Sequence, residues 1–143
     1  MLELLPVLAE LLHDPVRYRR KSLTVYSDNA STVMTFMNQK CKKLYLAFML
    51  ESLNFVTSAL QVSLHFKWLR RRSSLPMNLA DDATHSDFSH AEPGTVCARH
   101  TLPPPLQEVL LTTTSYMSHT LDQLRPKIKR YLLSVIPDLN FPH

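Results

Sequence analysis

The stretch Leu23-Thr-Val-Tyr-Ser-Asp-Asn29 constrains the fold more than any other part of the chain. Leu23 and Val25 point one way and Thr24 and Tyr26 the other, and β-branched and aromatic residues favour such a pleated, half-buried surface. The stretch reads as a strand, and the helical pattern from Ala30 follows it without a spacer. An Asp at the C-terminal end of a strand, just before a helix N-terminus, is where α/β sheets place their chemistry. Asp28, or Asn29 beside it, equally suits the cap of that helix, whose first N–H groups need an acceptor. Both readings of Asp28 are open on this stretch alone.

The rest of the chain supplies a partner strand and helices. Val62 to Trp68 alternates again, with Val62, Leu64, Phe66 and Trp68 on the apolar face. Leu4, Leu5, Leu8, Leu11 and Leu12 repeat at helical spacing and predict a helix that Asp14-Pro15 ends. Val16 to Lys21 reads as a basic connector. Ala30 to Gln39 predicts a helix with Val33, Met34, Phe36 and Met37 inward. Leu44 to Leu60 predicts a longer one, with core residues Leu46, Met49, Leu50, Leu53, Phe55 and Val56. Asn78 to Ala83 opens a short acidic helix. Helix, strand, helices, strand, helix is the order of an α/β domain. The single glycine, Gly94, argues against a hairpin-rich β protein and against a glycine loop around phosphates, because both need positive φ.

Three segments are expected. Residues 1–85 form the α/β unit. Residues 86–105 are a linker rich in Pro, Ser and His, with Pro103 to Pro105 extended and stiff. Residues 106–143 form a helical tail that Pro126 breaks or kinks. At 143 residues with 45% hydrophobic content, a packed core is within reach.

The net charge is +4, and Arg and Lys cluster at 17–21, 40–43, 70–72 and 125–130. Such clusters suit a polyanionic partner, whose bound counterions are released when its phosphates are neutralised. They equally suit a solvated surface. Cys41 and Cys97 have neither metal-ligand spacing nor a disulfide framework, so free thiols and an intracellular setting, cytoplasmic or nuclear, are expected. No apolar run approaches the roughly 18 residues of a membrane span, and no secretory signal is visible.

The carboxylates suggest a chemistry. If the strands ending at Asp28 and Trp68 lie side by side, Asp28 and Asp81 meet at their C-terminal ends, and Glu3 can join them from a packed helix. Clustered carboxylates repel unless a hard cation such as Mg²⁺ joins them, and two such ions promote phosphodiester hydrolysis. The loop Arg70-Arg71-Arg72 would then guide a nucleic-acid backbone.

The order Glu3-Leu-Leu, Val25-Tyr-Ser-Asp-Asn29 and Asn78-Leu-Ala-Asp-Asp82-Ala-Thr84 resembles the ribonuclease H domain of retroelement (retrotransposon) reverse transcriptase polyproteins, over about residues 1 to 85. The resemblance implies a partial ribonuclease H-like α/β fold of two strands with helices. It implies catalytic, metal-binding roles for Glu3, Asp28 and Asp81, with Asp82 as the choice one residue on. Mg²⁺ would be the cofactor, used only if the site is completed. An RNA–DNA hybrid would be the partner, met by Arg70, Arg71, Arg72, Asn29 and Asn78. His65 lies too early on its strand to match the family's mobile histidine. The family's first carboxylate lies on a strand upstream of the Glu helix, where this chain begins. The expectation is an N-terminally truncated fragment, ancestrally a Mg²⁺-dependent hydrolase of the RNA strand and inactive alone, whose open sheet edge invites self-association or another partner. The alternative is a non-enzymatic basic module that binds nucleic acid or protein.

Overall fold

The structure, a computed structural model, describes residues 4–40, 44–71, 73–84, 102–110 and 124–141. Two strands, β1 (Ser22–Ser27) and β2 (Ser63–Trp68), are joined by α3 (Ala30–Asn38) and α4 (Leu44–Leu60). Before β1 come α1 (Leu5–His13) and α2 (Pro15–Tyr18). After β2 come α5 (Leu75–Thr84), α6 (Pro104–Leu110) and α7 (Leu124–Val135). The result is mixed α/β, as the alternation of patterns implies.

The strands pair in parallel, with Leu23 opposite Leu64, Val25 opposite Phe66 and Ser27 opposite Trp68. Leu23, Val25, Leu64 and Phe66 share the face that helices cover. Leu23, Val25 and Leu64 line an apolar crevice with Val7 and Leu11 of α1. Phe36 of α3 lies 4.4 Å from Phe66, centroid to centroid. The other face carries Thr24, Tyr26, His65 and Lys67, all exposed. Parallel sheets are normally covered on both faces and read as continuous apolar runs. Among the described residues this pair is covered on one face only, in keeping with the alternation in both strands.

The core is mainly helical. Leu8, Leu11 and Leu12 of α1 meet Met49, Leu53, Val56 and Leu60 of α4 and Leu124, Ile128 and Leu132 of α7, all buried in one cluster. On each helix these residues recur three or four apart, on a single stripe. The C-terminal helix, expected as a tail, packs against α4, α2 and α6. The Tyr131 hydroxyl donates to the Leu12 carbonyl at 2.8 Å, tying α7 to the end of α1.

Several local expectations are corrected. Val16 to Lys21 is not all connector: Asp14 accepts the Arg17 N–H at 3.3 Å and, with Pro15 in the first turn, starts α2. Pro103 to Pro105 is not an extended rod. Pro104 and Pro105 occupy the first turn of α6, where their missing N–H groups leave no bond unmade, and the Pro103 carbonyl accepts from Leu106 and Gln107. Pro126 likewise falls in the first turn of α7 and breaks nothing. Met34 and Met37 are exposed, whereas Val33 is buried and Phe36 packs against the core. The side chain of Leu46 and nearly all of the expected linker lie outside the described residues.

A chain with one glycine must turn by other means. Arg20, Gln39 and Gln61 all take positive φ, between 54° and 61°. Arg20 and Gln61 stand together where the strands begin, with Arg20 Nε donating to Gln61 Oε1 at 3.1 Å and the Arg20 N–H donating to the Leu60 carbonyl. These bonds offset the steric cost that residues other than glycine meet in this region.

Candidate functional site

The register brings β1 and β2 to the same level, and the chain leaves both at one corner. Ser27 lies opposite Trp68, and the Leu69 N–H extends the ladder to the Ser27 carbonyl at 2.9 Å. Leaving β1, Asn29 is the helix cap. Its Oδ1 accepts the Thr32 N–H at 3.2 Å, and its own N–H donates to Ser27 Oγ at 3.1 Å. The ambiguity at this junction is thereby divided between neighbours: Asn29 caps α3, and the Asp28 carboxylate is left at the surface. The Asn29 side-chain oxygen is thus engaged by the helix it caps.

Trp68 closes the corner from the other strand. Its indole Nε1 donates to the Asp28 carbonyl at 3.1 Å. The ring is half exposed, not a core residue as the alternation of β2 suggests, and it is the last residue of the strand. Its N–H would be costly to bury without a partner, and the Asp28 carbonyl supplies one at the surface.

Leaving β2, the chain turns at Arg70, whose carbonyl accepts from Ser73, and enters α5. Ser74 Oγ accepts the Met77 N–H at 3.4 Å, so the helix opens earlier than Asn78. Asp81 therefore sits well inside α5, not at its first turn as expected. From there it still faces Asp28 across one cation. Arg71 Nη2 lies 3.0 Å from Asp81 Oδ1, and Arg71 Nε lies 3.9 Å from Asp28 Oδ2. The Asp81 side chain is 22% exposed, that of Asp28 45% and that of Arg71 66%. The two carboxylates, far apart in sequence, are brought to one place.

The other expected site residues fall differently. Glu3 and Arg72 lie outside the described residues. Arg70 is exposed. Asn78 and Asp82 are half-buried on α5. His65 is exposed on the bare face of the sheet, away from the strand ends. Among the described residues no three His, Cys, Asp or Glu side chains gather as a metal site would need. The positive charge between Asp28 and Asp81 is a guanidinium, hydrogen-bonded to one Asp81 oxygen and at ion-pair distance from Asp28. Nothing local in the sequence marks Arg71 as the joint of the corner. Only its place in a basic run was visible.

Comparison with protein-family models, with curated proteins and with solved structures gave no match. Among the described residues no helix is long and apolar enough to cross a membrane.

Proposed function

We propose that the chain is a ribonuclease H-like α/β unit, of retroelement type, that is catalytically silent. Its strand-end carboxylates serve as an arginine-clasped joint. The observation that carries this reading is the convergence of Asp28 and Asp81 on Arg71 at the C-terminal ends of two adjacent parallel strands. That is where this architecture places its chemistry. The order of the motifs along the chain supports the likeness, and the guanidinium between the carboxylates is the reason for silence. Hydrolysis of the RNA strand of an RNA–DNA hybrid would need those oxygens for Mg²⁺.

Two measurements test the reading. The purified chain, incubated with an RNA–DNA hybrid and Mg²⁺, is expected to cleave no faster than a blank. Cleavage that Asp28→Asn abolishes would overturn the silence. The Arg71→Ala variant is expected to gain a Mn²⁺ site, seen as loss of the free-ion electron paramagnetic resonance signal. Adding Asp28→Asn to that variant should remove the site. An Arg71→Ala protein that binds no Mn²⁺ would sink the descent from a metal site.

A further inference from the structure

The basic clusters at 17–21 and 125–130 are separated by most of the chain, and the fold makes them neighbours. α2 packs on α7. Arg19 Nη2 meets Asp138 Oδ2 at 3.4 Å, just past the end of α7. Tyr131 bonds the Leu12 carbonyl on the segment leading into α2. On α7 with Tyr131, Lys127 and Arg130 line an open cleft of about 330 Å³ that Pro104 and Pro105 of α6 also line. Between Leu124 and Val135 the helix has four basic residues and no acidic one. Among the described residues no carboxylate lies within ion-pair distance of Arg17 or Arg130.

We propose that this cleft binds the phosphodiester backbone of a nucleic acid. Lys127 and Arg130 are three residues apart on one helix, which places their side chains on one face. Arg130 offers a planar fork of donors suited to phosphate oxygens, and Lys127 a point charge. The rigid prolines and Tyr131 also line the cleft. Arg17 is exposed on α2, the helix that packs on α7. A polyanion gains from such cations because each contact releases counterions.

An anionic membrane would need more than charge. The apolar stripe of α7, formed by Leu124, Ile128 and Leu132, is wholly buried in the core, so the helix has no face to insert. The site is separate from the Asp28–Arg71–Asp81 corner and does not depend on the ribonuclease H-like reading.

The test is a fluorescence-anisotropy titration of the full chain with a labelled single-stranded RNA of about 20 nucleotides, repeated across salt concentrations. Binding is expected to weaken steeply with salt. The double change Lys127→Gln with Arg130→Gln is expected to lower affinity about tenfold or more and to reduce the salt slope by about two. Arg17→Gln, on a different element, should lower the slope by about one. Lys67→Gln, on the bare face of the sheet, should leave binding unchanged. All these side chains are at least partly exposed, and equal melting temperatures would show that the fold is kept. The proposal is overturned if the double variant binds as the parent does or Lys67→Gln weakens binding as much. It is equally overturned if phosphatidylserine vesicles or poly-glutamate bind while the RNA does not.

Discussion

Leu53 and Arg71 mark two extremes of the molecule. Leu53 is fully buried on α4, against the stripes of α1 and α7, and its whole side chain is removed from water. Arg71 is two-thirds exposed and joins two carboxylates that are themselves partly solvated. Burial of a leucine contributes about 1.5–3 kcal/mol. An exposed ion pair contributes about 0–1 kcal/mol, because water screens it and two long side chains must be ordered. The helical core therefore holds the protein together, and the strand-end corner is held in place by it. A corner with so little stability invested in it can change its chemistry without unfolding the chain. An arginine can stand between carboxylates there at little cost to the fold.

That contrast can be broken by measurement. Leu53→Ala is expected to destabilise by about 2–5 kcal/mol, read from denaturant unfolding, since the tight core cannot close the cavity fully. A loss below about 1 kcal/mol would mean that the helices are not packed as described.

Asn29→Ala sharpens the comparison, because it lies in the corner yet does structural work. Loss of its cap on α3 should cost about 1 kcal/mol, more than the neighbouring ion pairs contribute. Tyr131→Phe removes the bond to the Leu12 carbonyl and should cost about 0.5–1.5 kcal/mol. No change would show that α7 is held by its apolar stripe alone.

Arg71→Ala should shift stability by less than about 1 kcal/mol. A larger loss would make the corner a structural keystone and erase the distinction.

The smallest effect concerns pH. The Tyr18 hydroxyl donates to Glu10 Oε1 at 2.6 Å. That bond, followed by desolvation and the Glu10 charge, raises the phenol above its ordinary value of 10.0. Burial raises Tyr131 in the same direction. A group raised on folding adds stability that is fully present below the unfolded value and is lost as pH rises through the folded one. Melting temperature should therefore fall as pH rises beyond about 10, and Tyr18→Phe should flatten part of that slope. An identical slope in the variant would contradict the role of the Glu10 bond.

Much of this molecule follows from local pattern. Strand and helix periods differ, so the alternation at Leu23 to Tyr26 and at Val62 to Phe66, and the leucine spacing of α1 and α4, could be read without tertiary information. The strand-helix-strand order points to β1 and β2 as parallel neighbours, while the place of Asp81 depends on how α5 lies. Other features needed the folded chain. Trp68 has the right phase for the core and is half exposed at the end of its strand. Met34 and Met37 have the apolarity of an inner face, but it is Val33 and Phe36 that join the core. The prolines 104, 105 and 126 look like breakers and become first-turn residues, because a helix tolerates proline only where its N–H has no partner to lose.

Sequence by itself determined the α/β alternation, the one-sided strands, the helical stripes and the supply of charge, since these depend on residues a few positions apart. Tertiary structure alone decided which charges meet. Arg71 was one cation in a run until α5 carried Asp81 to it. The clusters at 17–21 and 125–130 were separate until α2 docked on α7. Coulombic partners are chosen by distance in space, and packing of the apolar stripes sets that distance.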